Sequence, residues 1–171
     1  MGRSLILNGH VDVVPTGPVS LWQRPPFEAY FDDTWLYGRG AGDMKAGLGA
    51  NLFALDALRS LGLQPAAPVY LQSVTEEECT GNGALAALVR GYKADAAIIT
   101  EPVDEALVRA NVGVIWFKVH VKGHPVHVAS AESGSNAIDA AIHLIQALKN
   151  FEQKRNLEKV NYPRFAGIDH P

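Results

Sequence analysis

Cysteine, long apolar runs and surplus positive charge are what this sequence has least of. Its single cysteine, Cys79, cannot close an internal disulfide, which favours a reducing compartment. No stretch approaches the ~20 apolar residues needed to span a bilayer. The opening residues Met1-Gly2-Arg3-Ser4 carry no apolar signal core ahead of the first apolar run. A cytoplasmic protein with no membrane partner is expected on these grounds. The formal net charge is −3 and no basic run stands out, so nothing electrostatic favours a nucleic-acid partner. Disorder is excluded by composition, with 47% hydrophobic residues against 19% charged ones.

What is present is an alternation of strand and helix. Leu5-Ile6-Leu7 is apolar on both faces, as a strand covered on each side of a parallel or mixed sheet must be. From residue 43 to 61, Met44, Leu48, Leu52, Leu55 and Leu58 recur every three or four positions and predict a helix, which Gly62 stops. A strand over 69–74, a short helix over 84–90 ended by Gly91 and a strand over 96–99 follow. The long proline- and aromatic-rich stretch between Val13 and Tyr37 reads as a functional loop without regular structure. Past Gly113 the pattern changes. Residues 114–121 alternate like a half-exposed strand, and 135–150 read as an amphipathic helix with Ile138, Ala141, Ile142, Ile145 and Leu148 on one side. Two domains are therefore expected, 1–112 and 113–171.

Polar residues gather where the apolar runs end. His10 and Asp12 project to the same side of an extended chain, so the Asp12 carboxylate can accept a hydrogen bond from the imidazole nitrogen that a metal does not use. Taken alone, the pair also fits an ordinary loop. Asp43 follows Gly38, Gly40 and Gly42, but the third glycine of a dinucleotide fingerprint would fall at position 43, so that reading fails. Asp43 fits either a metal site or the N-cap of the following helix. Glu76-Glu77-Glu78 would repel one another in a cleft unless a cation offset them, although a solvated acidic turn has the same sequence. Glu101 adds an acid after a third apolar run.

The ordered set resembles the M20 metallopeptidase family, which includes deacetylases, desuccinylases, aminoacylases and carboxypeptidases. The resemblance rests on Gly9-His10-Val11-Asp12-Val13-Val14-Pro15, on Trp22 with Pro26-Phe27, and on the run from Leu36 through Asp43-Met44-Lys45 to Gly47. It continues through Thr75-Glu76-Glu77-Glu78 before Gly81-Asn82-Gly83, then Thr100-Glu101-Pro102, and finally Gly123-His124-Pro125-Val126-His127 with Gly134-Ser135-Asn136-Ala137-Ile138. The implied fold is α/β, a partial three-layer mixed-sheet catalytic domain of the zinc-hydrolase type, followed by the start of an α+β lid domain.

The resemblance implies two divalent metal ions, zinc first, with cobalt or manganese as alternatives. His10 and Glu101 would hold one, Glu78 the second, and Asp43 would bridge them, while Asp12 orients His10. Glu77 would be the catalytic base, in a register set by matching Gly83; a slip of one residue would make Glu76 the base and Glu77 the ligand. His127 matches a lid histidine that reaches the substrate carbonyl of a partner subunit, which implies a homodimer through the lid.

Glu at position 101 is similar to the family's deacylases and carboxypeptidases rather than its aminopeptidases. Hydrolysis of the amide bond of N-acyl amino acids or related small amides is expected. The alternatives are a metallo-exopeptidase, carboxypeptidase or dipeptidase, and a truncated metal-binding fragment without turnover. The family's later metal-binding histidine has no match here, since nothing around His170 resembles its motif, and a fragment of a longer hydrolase is expected.

Overall fold

The computed structural model describes residues 2–165 and 167. The chain divides into two compact units, 1–107 and 108–171.

The first unit is built on strand β1 (Leu5–His10), flanked by β4 (Val69–Val74) on one side and β5 (Ala96–Ile99) on the other. Both pairings are parallel, with Leu5 opposite Val69 and His10 opposite Val74 in one, and Leu5 opposite Ala96 in the other. Parallel neighbours require long crossovers. The first carries helix α1 (Ala46–Ser60), which packs on β1 and β4; the second carries α2 (Asn82–Val89), which packs on β4. All three strands therefore point their carboxyl ends the same way, the end at which ligands bind in open α/β sheets.

The expected strands at 69–74 and 96–99 are present at those bounds. Helix α1 ends as the sequence predicts, with Gly62 in the left-handed region (φ +70°) and its amide donating to the Arg59 carbonyl. The long loop is less irregular than expected. It contains a short antiparallel hairpin, β2 (Tyr30–Phe31) with β3 (Leu36–Tyr37). Asp32 Oδ1 closes its turn by accepting the amides of Thr34 and Trp35 at 2.9 and 2.7 Å. Trp22 ties the loop to itself, its indole donating to the Thr16 carbonyl at 2.9 Å beneath the Arg39 guanidinium.

The core is small and sits against β1. Leu7 and Val74 are buried and Met44 is fully so, a burial that stabilises by about 1.5–3 kcal/mol. A Cβ at Gly9 would lie 2.8 Å from Leu48 and 2.9 Å from the Met44 methyl, so the strand and the start of α1 meet through a missing side chain. Gly47 plays the same part at the other neighbour: a Cβ there would collide with the Thr100 carbonyl just past β5.

In the second unit, Asn136 caps helix α3 (Ala137–Leu157) by accepting the Ile138 amide at 2.8 Å. The expected strand over 114–121 does not form. A strand needs a partner for its amides and carbonyls, and among the described residues of this unit the sole β pairing is the isolated bridge between His124 and Ser135. Ile115 and Trp116 are accordingly more than four-fifths exposed. The apolar stripe of α3, Ile138, Ile142, Ile145 and Leu148, is likewise exposed rather than packed. His170 lies outside the described residues.

Candidate metal centre

His10 is the last residue of β1 and is 1% exposed, among the most buried side chains of the unit. Its Nδ1 lies 2.9 Å from the Asp12 carbonyl oxygen, which can only accept, so the ring proton resides on Nδ1. Nε2 is thereby left facing outward, where Asp43 Oδ1 stands at hydrogen-bonding distance, 3.1 Å, with Glu101 Oε1 at 3.6 Å and Glu77 Oε2 at 3.9 Å.

The acids arrive from three segments. Glu101 follows β5. Glu77 and Glu78 follow β4 in a turn opened by Glu76 in the left-handed region (φ +61°). That turn is closed by the Thr80 and Gly81 amides donating to the Glu76 carbonyl, and by the Thr80 hydroxyl donating to Glu76 Oε2 at 2.7 Å. Gly83 at the start of α2 lies against the Thr75 backbone so closely that any Cβ would collide. Asp43 does not cap α1. Its backbone (φ −109°, ψ 103°) is not helical, Lys45 holds the N-cap position without a side-chain bond, and the carboxylate turns to His10 instead.

Two groups of donor atoms result, His10 with Glu77 and Glu101, and His10 with Asp43 and Glu78, the atoms of each lying within 4.8 Å of one another. Glu76 belongs to neither, its carboxylate being occupied by Thr80. One imidazole nitrogen and four carboxylates form a hard, oxygen-rich donor set suited to divalent cations.

The electrostatics have the same sense. Burial alone would lower the His10 pKa, yet the Asp12 carbonyl, the Glu101 charge, the Asp43 hydrogen bond and the Glu77 charge outweigh it and hold the pKa above the ordinary histidine value. Glu101 is raised above the usual carboxylate range by burial, and by the charges of Asp43, Glu77 and Glu78 acting against the pull of His10. An excess of negative charge around a buried ring is what a cation would offset.

Asp12 departs from its expected contact. The His10 ring bonds to its backbone carbonyl, and the carboxylate, 3.4 Å from Nδ1, accepts the amides of Glu77 and Glu78 at 3.3 and 3.2 Å. Burial would raise its pKa, but those two amides bring it below the usual value. Thr80 and this use of Asp12 escaped the sequence reading, because a side chain that grips backbone amides leaves no motif.

His127 belongs to the second unit. It caps a 3-10 helix, with Nδ1 accepting the Ala129 amide at 3.1 Å, so in its neutral form the ring carries its proton on Nε2. His120, His124 and His143 are exposed and, among the described residues, join no acidic group, and Cys79 is exposed beside the Glu76 carbonyl.

A parallel α/β sheet with an imidazole and several carboxylates converging at its strand tips defines a class of protein with a candidate site for divalent cations. The profile of Peptidase family M20/M25/M40 matches residues 6–162, and the chain belongs to that family. It is 36% identical over 161 residues to an N-formyl-4-amino-5-aminomethyl-2-methylpyrimidine deformylase of Halalkalibacterium halodurans, covering 88% of this chain and 38% of that protein. A protein of the same description from Bacillus subtilis is 33% identical over 172 residues, covering 95% and 40% respectively. A probable succinyl-diaminopimelate desuccinylase of Staphylococcus aureus is 36% identical over 152 residues, covering 88% and 37%. The chain thus spans about two fifths of the length of the curated relatives it matches.

Proposed function

We propose that this chain carries most of the cation-binding and proton-transfer residues of a metal-dependent amidohydrolase that removes an acyl group from the nitrogen of a small amino compound. The observation that carries the reading is the buried His10, its proton fixed on Nδ1 and its Nε2 turned toward Asp43, Glu77 and Glu101. The names of the relatives, deformylase and desuccinylase, support an acyl group as the part released.

In this reading His10 and Glu101 would hold one divalent ion and Glu78 a second, with Asp43 serving both. Such ions, zinc foremost and cobalt or manganese otherwise, supply Lewis-acid polarisation of the substrate carbonyl and a water of lowered pKa. Glu77 would act as general base toward the attacking water and then as the acid that protonates the leaving nitrogen. Asp12 keeps His10 in its orientation through its carbonyl. His127 donates from Nε2 to the developing oxyanion, acting from the partner subunit of a homodimer formed through the second domain, here taken as 113–171. The single exposed Cys79 suits a reducing, cytoplasmic setting.

Zinc titrated into the metal-free chain should bind, and Asp43→Asn should abolish the tightest binding. N-formyl, N-acetyl and N-succinyl amino compounds should be hydrolysed in preference to dipeptides by the protein in its full length. Absence of both zinc binding and amide hydrolysis would end this reading. Preferential cleavage of dipeptides would replace it with an exopeptidase. Zinc binding without turnover by these 171 residues would replace it with a metal-binding fragment.

A further inference from the structure

We infer that Asp12 is the positioning residue of the acidic turn, setting Glu77 and Glu78 through their backbone amides as well as fixing His10. The inference rests on the proposed roles of those two glutamates and extends them.

The geometry is specific to a carboxylate. One oxygen, Oδ1, accepts the Glu77 amide at 3.3 Å and the other, Oδ2, accepts the Glu78 amide at 3.2 Å, across 65 and 66 residues of sequence. The Asp12 carbonyl meanwhile holds His10 Nδ1 at 2.9 Å. A single residue therefore grips the ring at the end of β1 and the turn after β4 together. Glu76 adds the complementary half: its left-handed backbone reverses the chain, and its carbonyl gathers the Thr80 and Gly81 amides on the far side of the turn. The Glu77 and Glu78 amides are thereby left free to face Asp12. The side chains of those glutamates are long and half exposed or partly buried, so their carboxylates are placed chiefly by where the backbone begins them. The neighbouring strand bond from the Val11 amide to the Val74 carbonyl at 2.9 Å fixes the base of both loops but does not reach the turn itself.

The test is amide hydrogen exchange of the metal-free, isotope-labelled chain, with zinc titration beside it. In Asp12→Ala the Glu77 and Glu78 amides should exchange about tenfold faster, the loss expected for a hydrogen bond to a charged acceptor. The Val11 amide should stay at its wild-type rate and report that the sheet is intact. Asp12→Asn, which keeps one accepting oxygen, should restore slow exchange to one of the two amides. His10→Ala should leave both slow, since neither bond involves the ring. Zinc affinity in Asp12→Ala should fall about 10- to 100-fold, the range for residues that hold ligands in place. Unchanged Glu77 and Glu78 exchange in a folded Asp12→Ala would overturn the inference. If Asp12→Ala unfolds, the isosteric Asp12→Asn decides by the same two amides. A wild-type chain that takes up no zinc would defeat the proposed function, while the exchange rates would still decide the role of Asp12.

Discussion

The two ends of the parallel sheet treat charge in opposite ways. At the amino end, Ser4 donates both its amide and its hydroxyl to Asp95 Oδ2 at 2.7 Å, and the Asp95 amide donates back to Ser4 Oγ at 3.0 Å. That carboxylate is matched by donors, and the Ser4 hydroxyl above all holds its pKa below the usual range. At the carboxyl end, Asp12, Asp43, Glu77, Glu78 and Glu101 surround one buried imidazole, and Glu101 is pushed upward by burial and by its neighbours. One end closes the sheet with satisfied hydrogen bonds. The other retains mutual repulsion that a bound cation would relieve, the kind of local cost that accompanies function.

The comparison can be broken first at the carboxyl end. Asp43→Asn should weaken zinc binding by more than about a hundredfold, beyond the 10- to 100-fold cost of losing an outer partner; calorimetric titration measures it, and an unchanged affinity would remove Asp43 from the site. Zinc at about 100 times its dissociation constant should add roughly 2.7 kcal/mol to the stability of the wild-type chain. Thermal melts with and without zinc give that figure, and an unmoved transition would mean that this end holds no ion. Gly47→Ala, which drives a methyl into the Thr100 carbonyl, should cost about 1–3 kcal/mol by denaturant titration.

The finer tests use pH, where the two ends have opposite signs. A carboxyl raised in the fold, as Glu101 is, contributes stability that is fully present below its unfolded pKa and is lost as pH rises through its folded one. At neutral pH, Glu101→Gln should therefore raise the melting temperature of the metal-free chain by about 2–4 °C while weakening zinc binding. The gain should vanish below pH ~4. Asp95 is lowered in the fold, so its contribution is present above the unfolded pKa and lost as pH falls through the folded one. Asp95→Asn should destabilise slightly at neutral pH, lose that penalty in acid and leave zinc binding untouched. If both variants changed zinc affinity equally, the division between the two ends would be false.

Much of the first unit was legible in the sequence because its strands are unbroken apolar runs between turn residues. Val69–Val74 and Ala96–Ile99 have the bounds that such runs predict. The gathering of His10, Glu77, Glu78 and Glu101 was legible for the same reason, since a histidine or acid just past an apolar run lies at a strand tip. Periodicity did not reveal how Asp43 would be used: capping and ligation share a residue type, and the non-helical backbone at 43 and 44 decides against the cap. The hairpin between Tyr30 and Tyr37 was missed because each strand is two residues long, although Asp32 before Thr34 and Trp35 is a recognisable turn former. Residues 114–121 illustrate the opposite failure. Alternation identifies a chain suited to pairing, while formation of the strand depends on a neighbour that no local pattern encodes.

The six-residue ladder from Leu5–Val69 to His10–Val74 acts as a ruler for everything beyond it. Side chains alternate along a strand, so sliding β1 by one step against β4 would swing His10 to the opposite face and present Gly9 in its place. Loop positions that neither hold the ring nor shape the acidic turn can change at little cost while that ladder stays in step. Sheet alignment therefore sets the frame within which the Asp12 grip and the turn at Glu76 bring the acids to the imidazole.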